Sequence, residues 1–134
     1  MKCKEDNFHL GVKALIYNEK REILLLQKCF EKWDILGGRI QKDESLEDAL
    51  KHEVFEETGL ANVIPVNLLT MALSNIRISV QNGDVGLVLA VYECHVVDAT
   101  SILLSDEHVL FEWVDQDQAF ELLIDFPIEL IGKR

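Results

Sequence analysis

The stretch between Gly37-Gly38 and Gly59 restricts this chain most. From Asp43 to Glu57 it holds seven acids (Asp43, Glu44, Glu47, Asp48, Glu53, Glu56, Glu57) and one base, Lys51. Its net charge of -6 is more than half of the chain's -11. Ser45, three residues before Asp48, suits an N-cap, and Gly59 followed by Leu60 suits a helix stop. The spacing therefore predicts a helix over Ser45–Thr58. At about 100° per residue, Leu46, Ala49, Leu50 and Val54 form one apolar stripe. Glu53 and Glu57 fall within about 20° of Leu46, inside that stripe, and Glu56 falls at its edge. Glu47, Asp48 and Lys51 lie on other faces, as solvated charges do.

Two carboxylates four residues apart on a core-facing stripe repel each other, and burial sharpens the repulsion. A cation resolves the conflict. Closely spaced carboxylate oxygens suit a hard divalent ion such as magnesium or manganese. The competing reading is a frayed helix end that turns these acids out to water. No loop alternates acids around a central glycine, so an EF-hand is excluded. A glycosidase carboxylate pair stays open on the acids alone, but it accounts for neither the glycine pair nor the clustering.

The rest of the chain is rich in strand signals. His9–Tyr17 and Glu22–Lys28 read as strands, the second with a buried Ile23-Leu24-Leu25-Leu26 heart. Gly37-Gly38 admits backbone conformations that side chains forbid. Val63–Ser74 and Ile76–Val80 are strand material. Asn82-Gly83 signals a hairpin into a strand over Val85–Val97. Glu107–Val114 ends in a further strand, and Asp115–Ile124 reads as a short helix with Asp115 and Gln118 spaced as a capping box. Met71 and its apolar neighbours, with Phe111 and Trp113, are assigned to the core. Strands with two interleaved helices define a mixed α/β or α+β domain. At 134 residues the expectation is a single domain spanning 1–134.

Composition removes several function classes. No cluster of Lys and Arg is longer than two residues, so a polymeric nucleic acid is not an expected partner. The longest apolar run, Val85–Tyr92, has eight residues against the roughly 18 a membrane span needs. No apolar signal-peptide stretch follows Met1. Three scattered cysteines (Cys3, Cys29, Cys94) form neither a disulfide framework nor a zinc motif. Reduced thiols and a cytoplasmic location are the expectation.

Gly38, Glu44 and His52-Glu53-Val54-Phe55-Glu56-Glu57-Thr58-Gly59-Leu60 together resemble the Nudix box of the MutT/Nudix hydrolases. That pattern is Gly, five residues, Glu, seven residues, then Arg-Glu-aliphatic-any-Glu-Glu-any-Gly-aliphatic. Every specified position matches except one, where His52 replaces Arg. Trp33–Gly38 resembles the family's approach to the box, with Leu36 where Pro is common. Ser105-Asp106-Glu107-His108 with Glu112-Trp113-Val114 resembles a downstream family segment.

The resemblance implies an α/β/α sandwich around a mixed sheet. It implies metal-dependent attack of water on a nucleoside diphosphate linked to another group, with Mg2+, or Mn2+, as cofactor. The metal ligands would be Glu53, Glu56, Glu57 and the carbonyl of Gly37. The base would be Glu53 or Glu107. In the family the residue at the position of His52 orients a catalytic Glu. His52 is shorter and lacks a bidentate fork. It is expected to do this job in its charged form, against a tolerated substitution at some loss of rate or an impaired site. Arg39 is a candidate contact for substrate phosphate, against a solvated surface arginine. Trp33 is a candidate stacking residue, against core packing. Glu44 is a candidate support to the metal site, against stabilisation of the helix N-terminus.

The favoured substrate is a nucleoside triphosphate, cut to monophosphate and pyrophosphate. The Pro marker of ADP-ribose hydrolases and the Tyr marker of dinucleoside polyphosphate hydrolases are both missing at Asn75–Ile78. The rival reading is a catalytically weak Nudix-fold nucleotide sensor. Phe126–Ile131 is apolar enough to pack on the core or to form a homodimer contact.

Overall fold

The computed structural model describes residues 5–28, 32–98 and 101–123. Their elements run β1 (Phe8–Tyr17), β2 (Ile23–Gln27), β3 (Trp33–Asp34), β4 (Leu36–Arg39), α1 (Leu46–Thr58), β5 (Ile64–Leu73), β6 (Ile78–Val80), β7 (Gly83–His95), β8 (Leu110–Val114) and α2 (Gln116–Leu122). The sheet is mixed. β1 lies parallel to β7, in register from Phe8 opposite Gly86 to Tyr17 opposite His95. Its other edge pairs antiparallel with β4 and, at Tyr17, with β2. β2 also carries β3 and β8, and β7 carries β5 and β6, all antiparallel.

Period-two alternation divides the core between the faces. Val12, Ala14 and Ile16 of β1 join Leu24 and Leu26 of β2 beneath Ala49, Leu50 and Val54 of α1. Leu15, Tyr17, Ile23 and Leu25 point to the opposite face and meet Ala119 and Leu123 of the α2 segment. Helices on both faces of a mixed sheet give the expected α/β/α sandwich.

The helix ends follow the sequence signals. Ser45 Oγ accepts from Asp48 N at 3.1 Å, and Gly59 takes a left-handed φ of 76° while its N–H donates to Phe55 O. Asp115 Oδ1 accepts from Gln118 N at 2.8 Å. The hairpin into β7 forms one residue earlier than expected: Val80 faces Gly83, so Gln81 and Asn82 make the turn.

Two core assignments are corrected. Met71 and Leu73 are at least half exposed on β5, which pairs only with β7 and forms an edge of the described sheet. Phe111 is partly exposed on β8, which pairs only with β2, while Trp113 packs against the α1-face core. The glycine pair also has a different cause from the one expected. Neither Gly37 nor Gly38 has positive φ; both lie in an ordinary strand. What they supply is space. Cys94 is buried in the α1-face core. Cys3, Cys29, Ile124 and Phe126–Ile131 lie outside the described residues. No described helix is long and apolar enough to cross a membrane.

Candidate active site

α1 crosses β4 so closely that the Glu53 side chain fills the space beside Gly38. A Cβ on Gly38 would stand 2.6 Å from Oε1 and 2.7 Å from Oε2 of Glu53. A Cβ on Gly37 would strike the carbonyl oxygen of Val12 on β1. Glycine at 38 thus lets a carboxylate lie directly on the strand, at the C-terminal half of the helix.

The loop before β8 closes the other side. Leu103 N donates to Thr58 O at 2.9 Å and Ser105 N to Glu57 O at 3.1 Å. These bonds satisfy carbonyls that the helix end leaves free. They also carry Glu107 and His108 to Glu57. One ligand atom from each of these three residues lies within 4.8 Å of the other two.

Electrostatics follow from this crowding. Glu57 is 7% exposed. Burial, then repulsion from Glu53 and Glu107, pushes its carboxyl up to about 7, against smaller opposing effects of Lys13 and Lys28. Glu53 is raised as well, by burial first and by Glu56 next. A buried carboxylate flanked by two others concentrates negative charge at the end of α1.

Glu56 is more exposed and pairs with His52: Nε2 lies 2.8 Å from Glu56 Oε1, and Nδ1 lies 3.7 Å from Glu44 Oε2. Glu44 is itself fixed, with Oε1 accepting from Gln41 N at 2.9 Å in the turn before α1. His52 therefore bridges the turn that precedes the helix and the acid one turn further along it.

Arg39 sits on β4 with Nη1 3.2 Å from His9 Nδ1. It lines an open cleft of about 630 Å³ with Phe8, Leu10 and Lys42. Trp33 packs against the α2-face core, across the sheet from α1. The structure thus gathers Glu53, Glu56, Glu57, Glu107, Glu44 and His52 around α1, puts Arg39 on the neighbouring cleft, and places Trp33 on the other face.

Two residues were missed in the sequence. Lys13 bonds Asp34 Oδ2 at 3.0 Å and Ile35 O at 3.3 Å, and its charge acts on Glu57. A lone Lys inside an apolar strand was its signal. His108 was visible beside Glu107, but nothing local linked it to Glu57.

The NUDIX domain family model matches residues 7–130. With the sandwich and the carboxylate cluster of α1, this shows that the chain belongs to the NUDIX domain family. The 8-oxo-dGDP phosphatase NUDT18 of Danio rerio is 39% identical over 62 residues, which is 43% of this chain and 19% of that protein. The CTP pyrophosphohydrolase of Escherichia coli (strain K12) is 26% identical over 117 residues, 84% of this chain and 80% of that one. The MutT protein of Methanosarcina mazei Go1 has a similar structure, with a TM-score of 0.76 and 26% identity, covering 98% of this chain and 95% of that one. The matched segments span between a fifth and a third of the first curated relatives, 19% and 34% of their lengths.

Proposed function

We propose that this chain is a divalent-metal-dependent hydrolase that cleaves the phosphoanhydride of a nucleoside diphosphate linked to another group. The preferred substrate is a nucleoside triphosphate, giving monophosphate and pyrophosphate. The observation that carries this reading is the buried Glu57 carboxyl set among Glu53 and Glu107, a group pushed up to about 7 that only a cation would keep fully ionised at neutral pH.

The donor set fits the metal. Glu53, Glu56, Glu57 and the Gly37 carbonyl are hard oxygen donors, as Mg2+ or Mn2+ requires. When bound, such an ion neutralises the diphosphate and acidifies water beside it. The chain's own residues do the rest. Glu53 or Glu107 takes the proton from the attacking water. Burial raises the basicity of Glu53, which favours it for that task. His52 holds Glu56 and Glu44 in place. Arg39 meets substrate phosphate from the cleft beside β1. The names of relatives that act on 8-oxo-dGDP and CTP support a nucleotide as the small-molecule partner.

The test is phosphate release, after coupling to a pyrophosphatase, from nucleoside triphosphates and oxidised nucleotides, with chromatography for ADP-ribose and nucleotide sugars. Magnesium-dependent turnover lost in Glu53→Gln is the expected result. The second reading, a nucleotide sensor, is favoured by His52 in place of Arg. Thermal stabilisation by one nucleotide without any turnover would replace the hydrolase with the sensor.

A further inference from the structure

The hydrolase reading gives His108 no task. Its side chain is 9% exposed and packs at the C-terminal end of α1. Its Nδ1 is enclosed and has no hydrogen-bond partner. Leaving a buried polar atom unpaired is unfavourable, because its lost hydration is not replaced. Nδ1 lies 4.0 Å from Glu57 Oε2, too far for a hydrogen bond. That separation is natural for two atoms that ligate one ion. Ligands facing each other across an ion at about 2.1 Å each stand roughly 4.2 Å apart. Ligand atoms of Glu57, Glu107 and His108 all lie within 4.8 Å of one another, and the exposed Glu107 side chain is the one that can swing onto the same ion.

We infer that His108 supplies Nδ1 as a nitrogen ligand to a divalent ion held by Glu57 and Glu107. The site would then favour manganese and its heavier neighbours over magnesium. Magnesium takes oxygen ligands and keeps its waters, whereas imidazole suits the transition series. This inference rests on the reading that the α1 carboxylates hold a divalent ion, and its test separates the two.

The full chain is loaded with Mn2+ and examined by pulsed electron paramagnetic resonance for coupling to nitrogen. The expected result is a 14N coupling in the wild type that becomes a 15N coupling on 15N-histidine labelling. It persists in His52→Gln and is absent in His108→Gln. Mn2+ affinity in His108→Gln is expected to fall about tenfold or more, a loss of at least about 1.4 kcal/mol, with Mg2+ affinity nearly unchanged. Bound Mn2+ without nitrogen coupling in the wild type overturns the inference and leaves the hydrolase reading standing. That arm needs no variant to fold. Coupling retained in His108→Gln, or lost in His52→Gln, assigns the nitrogen elsewhere and also overturns it. Failure of Mn2+ to bind at all overturns both readings.

Discussion

Gly38 and Glu53 occupy one space: the position a Cβ would take on Gly38 lies 2.6 Å from a carboxylate oxygen of Glu53. The two residues are fifteen apart in the chain and in different elements, yet neither identity makes sense without the other. A carboxylate at the end of a flexible side chain can swing aside, whereas a backbone carbonyl cannot. Gly38→Ala is therefore expected to fold with a loss of about 1 kcal/mol, and to lose at least about 100-fold in turnover as Glu53 is displaced. Gly37→Ala drives its Cβ into the Val12 carbonyl and is expected to cost roughly 1–3 kcal/mol or more. Melting temperatures and kcat for the two variants check the contrast. Equal destabilisation would refute it.

Glu57 makes stability depend on pH with an unusual sign. Its carboxyl sits at about 7 in the folded chain against an ordinary 4.5. Between those values the folded state holds a proton that the unfolded state has released. Metal-free stability should fall as pH rises from about 4.5 to about 7, by on the order of 3 kcal/mol. Thermal melts in EDTA across that range measure it, and Glu57→Gln should flatten the slope.

Divalent ions bind the ionised form of the same group. Stabilisation by Mg2+ should therefore be larger at pH 8 than at pH 5.5. Removing the metal with EDTA at pH 8 should lower the melting temperature of the wild type and leave Glu57→Gln almost unmoved. A stabilisation independent of pH would separate the metal from Glu57.

Gly59 ends α1 at a φ of 76°. Gly59→Ala should lose about 1–2 kcal/mol through backbone strain, because a Cβ there meets nothing nearer than Leu103 Cβ at 3.9 Å. Denaturant titration reads this. A cost well above that range would mean that the adjoining loop had moved as well.

His52 is half exposed, so its pairs with Glu44 and Glu56 contribute little stability, under about 1 kcal/mol. Their expected effect is on position. His52→Ala should reduce turnover several-fold with little change in melting temperature, and His52→Arg should restore it by offering a wider fork to the same carboxylates. Turnover unchanged in His52→Ala would show that the bridge is incidental.

The sequence by itself determined α1, its caps and the placement of Glu53 and Glu57 on the apolar stripe. These depend on spacing within one helix, where a residue's face is fixed by its number. Strands β1 and β2 were legible because a short, rich apolar run bounded by polar residues is likewise a local signal. Tertiary structure decided the rest. Exposure of Met71 and Phe111 depended on which strands became edges, and apolar composition says nothing of that. The glycine pair could be seen but its cause could not, because the obstacle at Gly38 is a side chain from another element. His108 reached Glu57 only because the loop before β8 hydrogen-bonds the end of α1. Contacts between distant segments arise from packing and loop closure, and no period in the chain encodes them.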